Sequence, residues 1–119
     1  MNVAVLGASA KPERYSHQAV ARLNVHGHAV FPVHPTVAEV LGIRVFARLA
    51  DIPVPLDTVT VYLSADTSSA LASDLLATRP RRVIFNPGAE NPALATSLRQ
   101  HGIGTLDACT LVLLASGQF

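Results

Sequence analysis

Near its start the chain carries an apolar run that stops at a glycine, Val3-Ala-Val-Leu-Gly7, and this junction restricts the possible folds more than any other stretch. Four apolar residues, two of them β-branched, suit a strand buried on both faces, as in a parallel sheet covered by helices. Gly7 ends that strand, since a residue without a Cβ tolerates conformations and close approaches that others do not. Ala8 and Ser9 keep the turn small, and the polar stretch through Lys11, Arg14, Tyr15 and Ser16 leads into a helix. Turn N–H groups and the unpaired N–H groups of a first helical turn form an electropositive cup suited to a phosphate. The segment is neither a full G-x-G-x-x-G nor a Walker A sequence. Its weight rests on two cations beside the turn, which a purely structural turn does not need; a solvated basic loop is the plainer reading.

A chain of 119 residues makes one domain, here taken as 1–119, with no room for a separate substrate domain. Half of its residues are hydrophobic and only 14% are charged; with a mean hydropathy of +0.36, this points to apolar surface buried in a homodimer. Nine Lys and Arg against eight Asp and Glu leave a net charge of +1, and no basic run is interleaved with aromatics, so nucleic acid is not an expected partner. The single cysteine, Cys109, excludes an internal disulfide framework and fits a reducing compartment. The opening MNVAVLGASA lacks the basic region and the apolar length of a secretion signal, and no later run reaches membrane-spanning length. The expectation is a cytoplasmic protein, away from membranes, whose partner is a small molecule.

Strand and helix signals alternate along the chain. Ser16 is a candidate cap for a helix through Ala19, Val20 and Leu23 that ends at Gly27. Ala29–Val33 reads as a second strand, and residues 36–57 as a loop with one helical turn near Leu49–Ile52. Thr58–Leu63 reads as a third strand, and its strict Thr/Val alternation points to an edge position with one face less buried. Asp66 or Thr67 is expected to cap a helix over Leu71–Leu76 that Pro80 terminates. Arg82–Asn86 is a fourth strand; Asn91 followed by Pro92 is a strong helix start; Thr105–Ala108 is a fifth strand, followed by a short apolar helix ending at Gly117. The fold class is therefore α/β, a single Rossmann-like doubly wound parallel sheet of about five strands, with expected order 3-2-1-4-5. Ligands of such sheets bind beyond the carboxyl ends of the strands, where strand order reverses. The two loops expected to meet there are Gly7–Tyr15 and Asn86–Asn91.

A dinucleotide site of the NAD type places an acidic residue at the end of the second strand to hold the ribose hydroxyls. Here that position is Val33-His34-Pro35. Lys11 and Arg14 suit a ligand with a ribose phosphate as well as a pyrophosphate, a description that NADP and coenzyme A both meet. His34 on its own is as well explained as a surface-loop histidine.

The segments Gly7–Ser16, Pro32-Val-His-Pro35, Gly42-Ile-Arg-Val-Phe46, Asn86-Pro-Gly-Ala-Glu-Asn-Pro92 and Ala108-Cys-Thr-Leu-Val-Leu-Leu114 resemble the small stand-alone CoA-binding domain proteins. These are similar in fold to the N-terminal CoA-binding domain of the succinyl-CoA synthetase α chain. The resemblance implies that Gly7, Ala8, Ser9 and Lys11 hold the pyrophosphate of coenzyme A or an acyl-CoA, with Arg14 and Tyr15 nearby. It places Val33, His34, Pro35, Leu63 and Ser64 beside the adenosine and the start of the pantetheine. Asn86, Pro87, Gly88, Glu90 and Asn91 would then lie along the pantetheine arm. Many relatives carry Asn where this chain has His34. The phosphorylated histidine of the synthetases belongs to a second domain, so that chemistry is not implied.

No nucleophile, base and orienting group assemble from the sequence, so no catalytic residue is assigned. The five histidines are not spaced as ligands, and no metal site is expected. Glu90 is read as a helix-capping carboxylate in preference to a general base, and Cys109 as a small core residue. The expectation is non-catalytic binding of coenzyme A or an acyl-CoA; the alternative is a small NADP- or other nucleotide-dependent enzyme or nucleotide-binding subunit.

Overall fold

The apolar run at the start forms strand β1 (Asn2–Leu6) in a computed structural model that describes residues 1–119. Its side chains alternate between two cores. Ala4 and Leu6 enter the larger one, and Val3 and Val5 the smaller one on the opposite face, the period of two that a strand imposes. Helix α1 (Tyr15–Val25) follows, then β2 (Ala29–Val33), β3 (Glu39–Val40), β4 (Ile43–Arg44) and a single 3₁₀ turn at Leu49–Asp51. The remainder is β5 (Thr58–Val61), α2 (Ala65–Ser69), α3 (Ala72–Thr78), β6 (Arg82–Phe85), α4 (Pro92–Gln100), β7 (Gly104–Asp107) and α5 (Thr110–Ala115). Leu75, Leu94 and Leu98 of α3 and α4 pack into the larger core, while Val20, Leu23 and Leu114 of α1 and α5 pack into the smaller. No helix is long and apolar enough to cross a membrane.

Five strands form one parallel sheet in the order β2-β1-β5-β6-β7. The α/β class and the five parallel strands agree with the sequence reading, but the third long strand does not lie at the edge. Counted along the main sheet the order is 2-1-3-4-5: β5 pairs β1 on one side and β6 on the other. The alternation misled because Thr58 and Thr60 are fully buried with their hydroxyls satisfied inside the protein. Thr60 Oγ1 lies 2.7 Å from Thr110 Oγ1 and accepts from Asn86 Nδ2 at 2.6 Å; Thr58 Oγ1 donates to Asp57 and accepts from Arg82 Nε. A threonine so paired costs little in a core. The switch point accordingly falls between β1 and β5 instead of between β1 and the fourth strand.

Three further boundaries differ. Ser16 is a buried residue inside α1, whose N-cap is Arg14. Ser64, in place of Asp66 or Thr67, precedes α2, and the expected single helix is broken at Leu71 into α2 and α3. Residues 36–57 hold the 3₁₀ turn as expected, and also the β3–β4 hairpin, which turns on Leu41 and Gly42 with φ of 53° and 76°. Two successive positive φ values describe a type I′ hairpin turn, and leucine is a poor signal for one.

Candidate functional site

At the carboxyl ends of β1 and β5 two loops touch. Gly7 has φ +90°, and a Cβ on it would sit 2.7 Å from Leu63 Cδ2, so both the turn and the close approach of the loop after β5 require glycine there. Val33 at the end of β2 accepts the N–H groups of both Gly7 and Ala8, at 3.1 Å each. These two turn donors, expected to face a phosphate, are therefore used to fasten the loop. Free donor capacity begins one residue later, since Ser9 and Ala10 donate to no backbone carbonyl. Ser9 Oγ accepts from Lys11 N at 3.1 Å, a serine turn that shapes the loop.

Helix α1 then starts without a side-chain cap, leaving the first-turn N–H groups open. Lys11 and Arg14 stand exposed beside them, and the chain's two ion pairs, Arg48–Asp74 and Arg81–Asp57, use neither. Bare helix N–H groups with two unneutralised cations make a concentrated positive field. They line a cleft of about 590 Å3 whose other walls come from His34, Leu63 and the Pro87-Gly88-Ala89 turn. The loops after the first and fourth sheet strands thus do meet, with the loop after β5 between them.

On one side this cleft shares Gly7, His34 and Leu63 with a second of about 460 Å3. The second cleft is mostly apolar, with Val33, Pro35, Leu49 and Leu71 in its walls. Its far rim is the Arg48–Asp74 pair, in which Nε and one terminal nitrogen of Arg48 donate to the two carboxylate oxygens at 3.3 and 2.7 Å. The hydrogen bonds and charge of Asp74 raise the Arg48 pKa above its ordinary value. Residues 26 apart make this contact, and no sequence motif signals it.

His34 belongs to both clefts. Its Nδ1 accepts from the N–H groups of Thr36 at 3.1 Å and Val37 at 3.2 Å, so the ring proton is assigned to Nε2. In this way the imidazole does what an asparagine side-chain oxygen does in an Asx turn. It also keeps an N–H donor.

On the other side a third cleft of about 270 Å3 shares Tyr15, Tyr62 and Pro87 with the first and is completed by Asn86, Cys109 and Leu111. Cys109 is half-buried. The Tyr62 hydroxyl is sealed from solvent near Thr110 and Thr60; burial pushes its pKa up to about 12, against the lowering effect of those two threonines.

Three of the residues singled out in the loop after β6 have their side chains engaged within the protein. Asn86 is buried and donates to Thr60 Oγ1 and to the Val61 carbonyl, while its oxygen accepts from Thr110 N. Asn91 caps α4 through Leu94 N and ties α2 through Ala65 and Ser68. Glu90 accepts from Gly88 N at 2.9 Å, holding its own turn instead of capping the helix. Asn91, Glu90 and Ser64 lie outside the three clefts, whereas Ser9, Lys11, Arg14, Tyr15 and Ser16 of the opening loop, with His34, line the first. Val37 and Tyr62 join them there without a sequence signal. No three His, Cys, Asp or Glu residues come together as metal ligands.

An uncapped helix start with two cations outside any ion pair thus lies between an apolar cleft and a narrower one. Among known proteins, YneT of Bacillus subtilis (strain 168) is 33% identical over 100 residues, which are 84% of this chain and 74% of YneT. A crystal structure of an uncharacterized protein superposes with a TM-score of 0.89 at 36% identity, covering 99% of this chain and 97% of its own. A Thermus thermophilus protein superposes with a TM-score of 0.90 at 29% identity, covering 99% and 90%. The model of one family, described as the CoA binding domain, runs from residue 1 to residue 115, and it is to this family that the chain belongs.

Proposed function

We propose that the protein binds coenzyme A or an acyl-CoA along the three clefts and performs no chemistry on it. The observation that carries this reading is the uncapped N-terminus of α1 beside Lys11 and Arg14, an anion site that the fold itself leaves unneutralised. The pyrophosphate lies over Ser9, Ala10 and the first turn of α1. The adenosine occupies the apolar cleft between Val33 and Leu71, with the His34 Nε2–H at its junction with the phosphates. The pantetheine arm runs the other way, past Pro87 and Gly88. The end of β2 offers His34 and Pro35 where an NAD site would offer a carboxylate, which disfavours NAD. Glu90 is tied to its own turn, and Cys109 has no base or orienting partner in a hydrogen bond, so neither belongs to an assembled nucleophile.

The test is thermal denaturation with coenzyme A, NADP and NAD at equal concentration, since a ligand bound to the native state raises the melting temperature. Coenzyme A is expected to give the largest shift. Calorimetric titration of Lys11→Ala is expected to show a loss of about 1.5–3 kcal/mol, one charge-assisted contact. A shift with NADP and none with coenzyme A would overturn the reading. Acetyl-CoA incubated with stoichiometric protein is expected back intact, and release of free thiol above background would instead make the protein an enzyme.

A further inference from the structure

The third cleft carries an inference about what the ligand bears at its far end, and it rests on the coenzyme A reading above. Of the polar groups in its walls, the Asn86 amide is consumed by Thr60, Val61 and Thr110, and the Tyr62 hydroxyl is buried away from solvent. What remains to face a ligand is the exposed Tyr15 side chain with its neutral hydroxyl, Pro87, Leu111 and the Cys109 thiol. No charged side chain lines this cleft, whereas Lys11 and Arg14 both line its neighbour. Its volume of about 270 Å3 lies below the roughly 300–1,000 Å3 of clefts that enclose a drug-sized molecule. It is continuous with the phosphate cup through Tyr15, Tyr62 and Pro87, on the side away from the adenosine cleft.

We infer that this cleft is an acyl chamber selecting short, uncharged acyl thioesters of coenzyme A. An aliphatic group of a few carbons removes apolar surface from water there, both its own and that of Leu111 and Pro87. A dicarboxylic acyl group of equal length brings a carboxylate to walls that offer it no cation, and desolvating an unpaired charge is costly. A long fatty acyl chain exceeds the space. Butyryl-CoA and succinyl-CoA separate the two features, because their acyl groups have the same carbon count and differ in charge.

The experiment is calorimetric titration of the protein with coenzyme A, butyryl-CoA, succinyl-CoA and palmitoyl-CoA. Butyryl-CoA is expected to bind about tenfold or more tightly than coenzyme A, the range open to a few methylenes in an apolar pocket, with succinyl-CoA and palmitoyl-CoA no tighter than coenzyme A. Leu111→Trp fills the chamber and is expected to erase the butyryl advantage over coenzyme A. Leu111→Ala serves as a second variant if the tryptophan lowers the melting temperature, and it should shift the preference toward longer acyl chains. Coenzyme A that binds with no discrimination among the acyl groups, or a butyryl preference that survives Leu111→Trp, overturns the chamber alone. Failure of coenzyme A itself to bind overturns the underlying reading together with it.

Discussion

His34 shows how one side chain can hold a turn and still keep a donor that the fold does not use. Its Nδ1 holds the turn by accepting from Thr36 and Val37, and its Nε2–H takes no part in that turn. The two roles separate by substitution. Asn at position 34 can accept the same backbone N–H groups, but its amide N–H2 sits closer to the backbone than the ring Nε2–H and does not reach as far outward, whereas Ala provides neither. His34→Asn is expected to keep the melting temperature and weaken coenzyme A binding by about 0.5–1.5 kcal/mol, one hydrogen bond. His34→Ala should lose both stability and affinity. Calorimetry and thermal melts read the two effects independently, and wild-type affinity in His34→Asn would show that the second ring nitrogen is unused. Asn86 shows the opposite case. Position and chemistry in the loop after β6 recommended it for ligand contact, yet its amide joins β5, β6 and the start of α5. Asn86→Ala leaves buried Thr110 N–H unpaired, and the expected loss, on the order of 2–3 kcal/mol in urea denaturation, is a stability effect. A variant as stable as the parent would contradict that structural role.

At the scale of elements, the β3–β4 hairpin was hidden by its own turn. Leu41 is exposed and takes φ 53°, a left-handed conformation that costs an ordinary residue about 1–2 kcal/mol and asparagine less. The Asn-Gly pair, which marks a type I′ turn, is absent. Leu41→Asn creates it at a side chain that is already more than half exposed, so the melting temperature is expected to rise by the equivalent of about 0.5–1 kcal/mol. An unchanged or lower value in differential scanning calorimetry would mean that the strain is relieved elsewhere. Helix α4 is the contrasting element. Asn91 with Pro92 stated its start locally, and the side chain does accept from Leu94 N. Helix α1 had an equally plausible cap in Ser16 but begins at Tyr15. That offset of a few residues decides whether its N-terminal N–H groups face an open cleft.

For the molecule as a whole, the sheet order sets the hierarchy of local stability. Strands β1, β5 and β6 are paired on both sides and buried almost throughout, while β7 pairs only with β6 and exposes Leu106. Native-state hydrogen exchange is expected to be slowest in β1, β5 and β6 and fast in β7 and the hairpin. Slow exchange in β7 would point to that edge being covered. The chain by itself determined the strand–turn–helix at Gly7, the alternation of strands and helices, the parallel sheet and the cations beside the opening loop. All of these rest on residues close in sequence: apolar periodicity, a glycine where φ is positive, and a proline after an asparagine. Tertiary structure decided the rest. Thr58 and Thr60 read as an edge strand until Thr110, Asn86 and Arg82, more than 20 residues away in sequence, satisfied their hydroxyls. The same long-range pairing moved the switch point to β1 and β5 and consumed Asn86, and the contact of Arg48 with Asp74 closed the apolar cleft. A polar side chain's availability depends on which partners folding brings to it, and partners distant along the chain leave no local pattern to read.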